Sequence, residues 1–86
     1  MIGNFATSKA GHDKDELYVI IAEEGDFVYL SDGRLRPVEK PKKKRLKHIQ
    51  PIGRRVEDAL LHKLESHEKV TNEEVKYAIK HYKRDF

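Results

Sequence analysis

The hydrophobic and polar positions in the first half of the chain predict short β-strands. Residues 16–23 are rich in β-branched and aromatic side chains, and apolar residues occupy both faces of this predicted strand. Residues 24–26 form a tight reversal that joins it to a second strand at residues 27–31, which predicts a hairpin. A further short strand is expected at residues 3–8. A strand that is buried on both faces favours a small closed barrel over an open sheet with one face in water.

The pattern that follows predicts two more strands around an irregular stretch. Residues 34–36 alternate charged and apolar, as a half-exposed strand does. Pro37 and Pro41 then bracket an irregular stretch, because proline cannot donate to a strand ladder. Residues 42–45 leave it as a short basic arm, and residues 46–50 alternate again as a closing strand that ends at the next proline. Five short strands at this spacing predict a small SH3-like barrel.

The second half of the chain changes to a helical period. Apolar residues at helical spacing predict an amphipathic helix over residues 54–66 and a second one over residues 72–84. Thr71 and Glu74 have the spacing of a capping box at the start of the second helix. Two short helices cannot bury both apolar stripes alone, so a helical hairpin that packs at least partly on the barrel is expected.

These elements define a fold class and two units. The fold is expected to be mainly β with C-terminal α: a barrel of about five strands followed by a two-helix hairpin. Residues 1–53 would form the barrel with its basic arm, and residues 54–86 the helical hairpin.

Charge is distributed very unevenly along the chain. The net charge of +3 arises from 18 Lys and Arg against 15 Asp and Glu. Residues 1–33 hold two lysines against seven acids, and residues 56–86 hold six basic residues against seven acids. Residues 34–55, here called the basic block, hold ten basic residues against Glu39 alone. Clustered Lys and Arg release counterions from phosphate chains, so the basic block indicates a polyanionic partner.

The basic block supplies most of the candidate binding residues. On a short arm between strands, several of its cations could face one phosphate chain, although a lysine run is also compatible with a solvated loop. Neutralising about six phosphates predicts a slope of about −5 for log K against log salt on a duplex. The candidates in this block are Arg34, Arg36, Lys40, Lys42, Lys43, Lys44, Arg45, Lys47 and His48.

A second candidate contact is the turn before the long strand. Gly11 can expose backbone N–H groups to phosphate or sugar oxygens, and Lys9, His12 and Lys14 flank it. An ordinary surface turn explains the same residues.

Aromatic residues offer a third kind of contact, because unpaired RNA bases stack on aromatic rings. Phe27 and Tyr29 share one strand face, opposite Val28 and Leu30, and core packing is favoured over base stacking. Tyr77 lies beside a ridge of lysines on the second helix, where a solvated face is favoured over an RNA or protein contact.

Several function classes are disfavoured by what the chain lacks. It contains no cysteine, its five histidines are scattered, and it has no phosphate-loop glycine motif. We therefore expect no enzyme activity, metal, cofactor or small-molecule substrate. The longest apolar run has six residues, residues 17–22, where a membrane span needs about 20. The first residues have no basic or apolar leader pattern, so a cytoplasmic location with no membrane partner is expected.

The sequence of residues 8–14, SKAGHDK, followed by the apolar strand at 17–22, resembles a KOW motif. Residues 29–36, 40–44 and 46–50, together with the helix start at residues 70–75, extend this resemblance to the short bacterial KOW-domain RNA-binding proteins. Those proteins are similar to single-barrel large-subunit ribosomal proteins of archaea and eukaryotes. The resemblance implies an SH3-like barrel that binds ribosomal RNA. The family pattern usually has glycine where this chain has Asp15, whose carboxylate repels phosphate, so the basic block carries more of the expected contact.

The sequence therefore leaves two alternative hypotheses for the function. The first is a non-enzymatic RNA-binding protein that associates with the ribosome, with ribosomal RNA and ribosomal proteins as partners. The second is a protein-interaction adaptor of the translation or transcription machinery. DNA binding by the helical hairpin is disfavoured, because Glu73 and Glu74 open the helix that would enter the groove.

Overall fold

The computed structural model describes residues 1–9 and 16–84, in which one five-stranded antiparallel sheet precedes two helices. The mainly β class with C-terminal helices is therefore as predicted. The sheet has the strand order β4-β3-β2-β1-β5, which places β4 and β5 at its edges. The elements are β1 (Asn4–Ser8), β2 (Leu17–Glu24), β3 (Phe27–Ser31), β4 (Lys42–Arg45), β5 (Ile49–Arg55), α1 (Asp58–Glu65) and α2 (Asn72–Arg84).

Two predictions about this region are wrong. Residues 34–36 form a loop rather than a strand, and the basic arm at residues 42–45 is a strand. Side chains explain the first difference: Asp32 accepts hydrogen bonds from the backbone N–H groups of Arg34 and Arg36, at 2.8 and 2.9 Å. These bonds offer the backbone an alternative to a strand ladder. The arm pairs with β3 instead, and becomes the edge strand β4.

The closing strand lies further along the chain than predicted. Residues Leu46–His48 form one 3₁₀ turn, and β5 then runs through Pro51 to Arg55. An edge strand tolerates proline because one side of its backbone makes no ladder bonds. Since β5 uses residues 54 and 55, α1 begins at Asp58 rather than at the predicted residue 54.

The sheet is strongly curled. Arg45 pairs next to Phe27 at one end of the sheet, and Ile49 pairs with Ser8 at the other end. In a flat sheet these positions would lie ~19 Å apart across four strand spacings and ~20 Å apart along the strands. Only three residues separate Arg45 from Ile49, and this connection spans at most ~14 Å. The edges are therefore brought towards each other, with a register shift in β2 where the strand bends.

Two apolar layers bury both faces of the central strands. The concave side of the sheet encloses one set of buried side chains, and the two helices cover the convex side. Both faces of β2 are buried, as its sequence predicts, but the second face is covered by helices. The concave core comprises Ala6, Tyr18, Ile20, Val28, Leu30 and Ile49. The helix-facing core comprises Phe5, Leu17, Val19, Val56, Leu60, Leu64, Val75, Ala78 and Ile79.

The helix ends are defined by local hydrogen bonds. The capping box is confirmed: the Thr71 N–H donates to the Glu74 carboxylate at 3.1 Å, and the Glu74 N–H donates to the Thr71 hydroxyl at 3.2 Å. At the end of α1, His67 adopts a left-handed φ of 58°, and Glu68 donates back to the Lys63 carbonyl. No helix within residues 1–9 and 16–84 is long and apolar enough to cross a membrane.

Candidate nucleic-acid interface

Strand β4 divides the lysine run between the two faces of the sheet. Side chains alternate along a strand, so Lys43 and Arg45 lie on the convex face, while Lys42 and Lys44 lie on the concave face. The register agrees, because Lys43 pairs with Tyr29 and Lys44 pairs with a buried valine of the concave core. The run predicted as one arm therefore consists of two pairs of cations with different surroundings.

Lys43 and Arg45 lie over two aromatic rings. We call these two cations and the two rings together the convex patch: Phe27, Tyr29, Lys43 and Arg45. The Lys43 ammonium is 4.6 Å from the centroid of the Phe27 ring and 5.8 Å from that of Tyr29. The Arg45 guanidinium lies 4.9 Å from the Phe27 centroid. Cation–π attraction thus holds both charges at the surface in a fixed arrangement. The rings are half-buried beneath these cations rather than packed in either core.

The carboxylate of Glu24 borders the convex patch. The Tyr29 hydroxyl donates to Glu24 at 3.0 Å, and the Lys43 ammonium lies 3.5 Å from the same oxygen. The pKa of Lys43 is raised, chiefly by the charge of Tyr29 when ionised and also by Glu24. Lys43 therefore stays protonated at neutral pH, and the patch keeps an excess of positive charge.

Lys42 and Lys44, the pair on the concave face, interact with other groups of the protein. The Lys44 ammonium donates to the hydroxyl of Ser8, a buried residue of β1. Because β1 is three strands away from β4 in the sheet, this bond crosses the concave side and links strands that are not neighbours. Lys42 is likewise half-buried and has a partner. These two predicted binding residues are therefore less available to a ligand than Lys43 and Arg45.

Arg34 and Arg36 project from a compact loop. Besides the two bonds to Asp32, the Ser31 hydroxyl donates to the Arg36 carbonyl at 2.8 Å and accepts from the Gly33 N–H at 3.1 Å. The backbone is therefore fixed while both arginine side chains remain exposed. Leu35, between them, is 89% exposed.

The same loop is anchored on α2. Asn72 accepts a hydrogen bond from the Val38 N–H at 2.8 Å and donates to Glu39 at 2.9 Å. Gly33 has a φ of +74°, and an added Cβ would come within 2.5 Å of the Asn72 carbonyl oxygen. Glycine is therefore required for this close approach. Lys40 follows the anchored segment with its side chain exposed.

The 3₁₀ turn joins two groups of predicted residues that are distant in sequence. The Lys9 N–H donates to the His48 carbonyl at 3.0 Å. Lys9, Lys47 and His48 are all exposed, so the entry of the predicted KOW turn lies beside the basic block. The other predicted residues of that turn, Gly11, His12 and Lys14, and the divergent Asp15, lie outside the described residues.

Four exposed cations of this surface have no carboxylate partner among the described residues. Arg34, Arg36, Lys40 and Lys47 have exposed side chains, and none forms an ion pair with a carboxylate of residues 1–9 or 16–84. Such charges retain their full attraction for a polyanion.

Sequence reasoning missed two cations at the end of β5. Arg54 and Arg55 belong to the basic block but were expected inside the first helix, whose polar face is normally solvated. The structure places Arg54 over the Tyr82 ring, 5.5 Å from its centroid. The signal that would have found them is the apolar spacing itself, which begins only at Val56.

The described residues bring no cluster of metal-ligating side chains together. Across residues 1–9 and 16–84, no three His, Asp or Glu side chains are close enough to hold a metal ion. Within the described part of the chain, His62 lies 3.8 Å from Glu68, and both side chains are exposed. Comparison with protein-family models and with curated proteins gave no match to this chain.

Proposed function

We propose that this protein is a non-enzymatic RNA-binding protein that acts on ribosomal RNA in the cytoplasm. The observation that supports this most is the series of exposed cations that follows the chain from the loop at residues 31–36 through β4 and the 3₁₀ turn to β5. Exposed cations without carboxylate partners lie on the loops of this surface, and the convex patch lies between them. A surface of this kind reads phosphate rather than base edges.

Edge protection alone does not account for this charge. Lysines on an edge strand prevent unwanted pairing with other sheets, and that role fits β4. It does not fit Arg34, Lys40 and Lys47, which lie outside the strands. Ligand binding gives a reason for cations at all of these positions.

We further propose that the curled sheet is a small SH3-like barrel of the KOW type. Three features support this: the last strand pairs with the first, a single 3₁₀ turn joins β4 to β5, and Lys44 bonds across the concave side to Ser8. The hydrogen bond from the Lys9 N–H to the His48 carbonyl, which places the residue after β1 beside the basic block, is also expected in such a barrel. RNA is favoured over DNA because Glu73 and Glu74 lie in the first turn of α2, the helix that would have to enter a DNA groove, whereas a folded RNA can be held through its shape and phosphates.

The proposal is tested by reversing the charge of two exposed lysines whose side chains form no hydrogen bond or ion pair with the described residues. In a gel shift with a fragment of large-subunit ribosomal RNA, Lys40→Glu/Lys47→Glu is expected to weaken binding by more than about tenfold. The remote-charge control, Lys69→Glu/Lys83→Glu, changes the net charge equally but lies outside the basic block. Equal binding by all three proteins would exclude this surface as the RNA site.

A specific observation also favours the second candidate, a protein-interaction adaptor. Leu35 is 89% exposed between two arginines, on a loop whose backbone is held by hydrogen bonds to Asp32 and Ser31, so its apolar side chain is accessible to a protein partner. An adaptor would cosediment with a protein complex after RNase treatment. Leu35→Asn, which removes the apolar side chain without adding a charge between the two arginines, would then abolish cosedimentation while leaving RNA binding unchanged.

A further inference from the structure

A cleft outside the convex patch lies between the end of β5 and the two helices. Its volume is about 710 Å³, within the usual range for small-ligand sites. Leu60, Ala78 and Tyr82 contribute apolar surface to its lining, and Phe5, whose ring lies 4.7 Å from that of Tyr82, joins it to the helix-facing core. The cleft is therefore built on the rigid part of the molecule.

An exposed aromatic pair borders the cleft. Tyr77 is 57% exposed, and its ring centroid lies 5.3 Å from that of His81, one helical turn further along α2. Neither ring belongs to a core cluster. Tyr77 thus presents an open ring face that core packing does not explain.

Among the described residues that line the cleft, cations outnumber carboxylates. Arg54, Arg55 and Lys80 line it, together with three carboxylates. Two of these carboxylates are paired within the hairpin, Glu73 with Lys76 at 2.9 Å and Glu74 with Lys63 at 2.8 Å. Glu57 is the remaining acid, so the lining favours an anionic ligand.

The cleft is also continuous with the basic block. Arg54 and Arg55 are the last two residues of β5 and the last two cations of that block. A phosphate chain that follows β5 to its last residues would enter the cleft that Tyr77 and Lys80 also line. Because every base has a π face, an aromatic ring flanked by cations can hold an unpaired base without reading its identity.

We propose that this cleft binds an unpaired nucleotide of the RNA, with the base stacked on Tyr77 and the adjacent phosphates held by Arg55 and Lys80. This inference rests on the proposed RNA-binding function and adds to it a ligand class: RNA with a loop or bulge. An acidic peptide is less favoured, because the positive rim is part of a longer phosphate-binding surface.

The test compares two RNAs of equal phosphate number: a hairpin whose loop carries the fluorescent base 2-aminopurine, and a blunt duplex. The parent is expected to bind the hairpin more tightly and to quench the loop fluorescence. Tyr77→Ala is expected to weaken hairpin binding at least about fivefold and to leave duplex binding unchanged. Tyr77→Phe, which keeps the ring, should bind like the parent, as should His62→Ala, an exposed change outside the cleft. Circular dichroism verifies that each variant is folded.

The outcomes separate this inference from the proposed function. If the parent binds both RNAs and Tyr77→Ala binds the hairpin equally well, the nucleotide site is refuted and the RNA-binding function stands. If the parent binds neither RNA, both fail. If a fluorescein-labelled peptide of alternating Glu and Leu binds the parent but not Tyr77→Ala, and the hairpin is unaffected, the cleft is a protein site and the inference is overturned.

Discussion

Replacing Gly33 by alanine is expected to destabilise the protein much more than the same change at Gly25. Both glycines have a left-handed φ, +74° at Gly33 and +58° at Gly25. Their surroundings differ, because a Cβ at Gly25 would meet no atom within 4 Å, whereas a Cβ at Gly33 would lie 2.5 Å from the Asn72 carbonyl oxygen. The pair therefore separates backbone strain from steric overlap.

The size of the effect follows from these two contributions. An alanine in the left-handed region costs about 1 kcal/mol at either position. At Gly33 the new methyl group also overlaps backbone atoms of α2, and overpacking adds about 1–3 kcal/mol. We expect Gly25→Ala to lower the free energy of unfolding by about 1 kcal/mol and Gly33→Ala to lower it by about 2–4 kcal/mol.

Urea unfolding followed by circular dichroism measures both variants. Gly33→Ala should also lower the affinity for RNA, because the loop that presents Arg34 and Arg36 is seated on α2 through Gly33. Equal destabilisation at the two glycines would refute this seating, and with it the fixed position of the two arginines.

Three further predictions concern the convex patch and the helices. Lys43→Ala/Arg45→Ala should weaken RNA binding about 20-fold near 0.15 M salt, whereas alanines at the two remote-charge positions should have little effect in the same titration. His67→Gly removes the strain of a side chain at a left-handed φ and should raise the free energy of unfolding by about 0.5 kcal/mol. Thermal unfolding measures this, and a loss of stability would show that His67 is not strained. The hydrogen bond from Lys63 lowers the pKa of Glu74 from its ordinary 4.5. The stability that this pair adds is therefore present above pH 4.5 and is lost as the pH falls through the lower, folded-state pKa. Glu74→Gln retains capping, so its deficit relative to the parent should disappear in acid; a deficit independent of pH would contradict this.

Local patterns predicted the elements that depend on neighbouring residues. The α2 boundaries, its capping box and the β2–β3 hairpin follow from side chains within a few positions of each other. The burial of both faces of β2 was also evident from its apolar residues. The sequence did not reveal that the helices, rather than the sheet alone, cover one of those faces, because that depends on contacts between distant segments.

The predictions are wrong where hydrogen bonds from side chains, or pairing with a distant strand, determine the backbone conformation. Residues 34–36 alternate like a strand, but hydrogen bonds to Asp32 and Ser31 hold them in a loop. The lysine run at residues 42–45 has the sequence pattern of a solvated arm, but in the structure it pairs with β3 and forms a strand. For the candidate site, composition located the basic block but not the division of its lysines between two faces. That division depends on strand register, which the composition of a lysine run does not encode.

The salt dependence of RNA binding tests the central claim most directly. The parent protein would be titrated with a fluorescent fragment of large-subunit ribosomal RNA at salt concentrations from about 50 to 300 mM. If the basic block binds the phosphate backbone through about six contacts, log K should fall against log salt with a slope of about −4 to −5. A slope near zero, or no binding at low salt, would contradict the assignment of this surface to RNA.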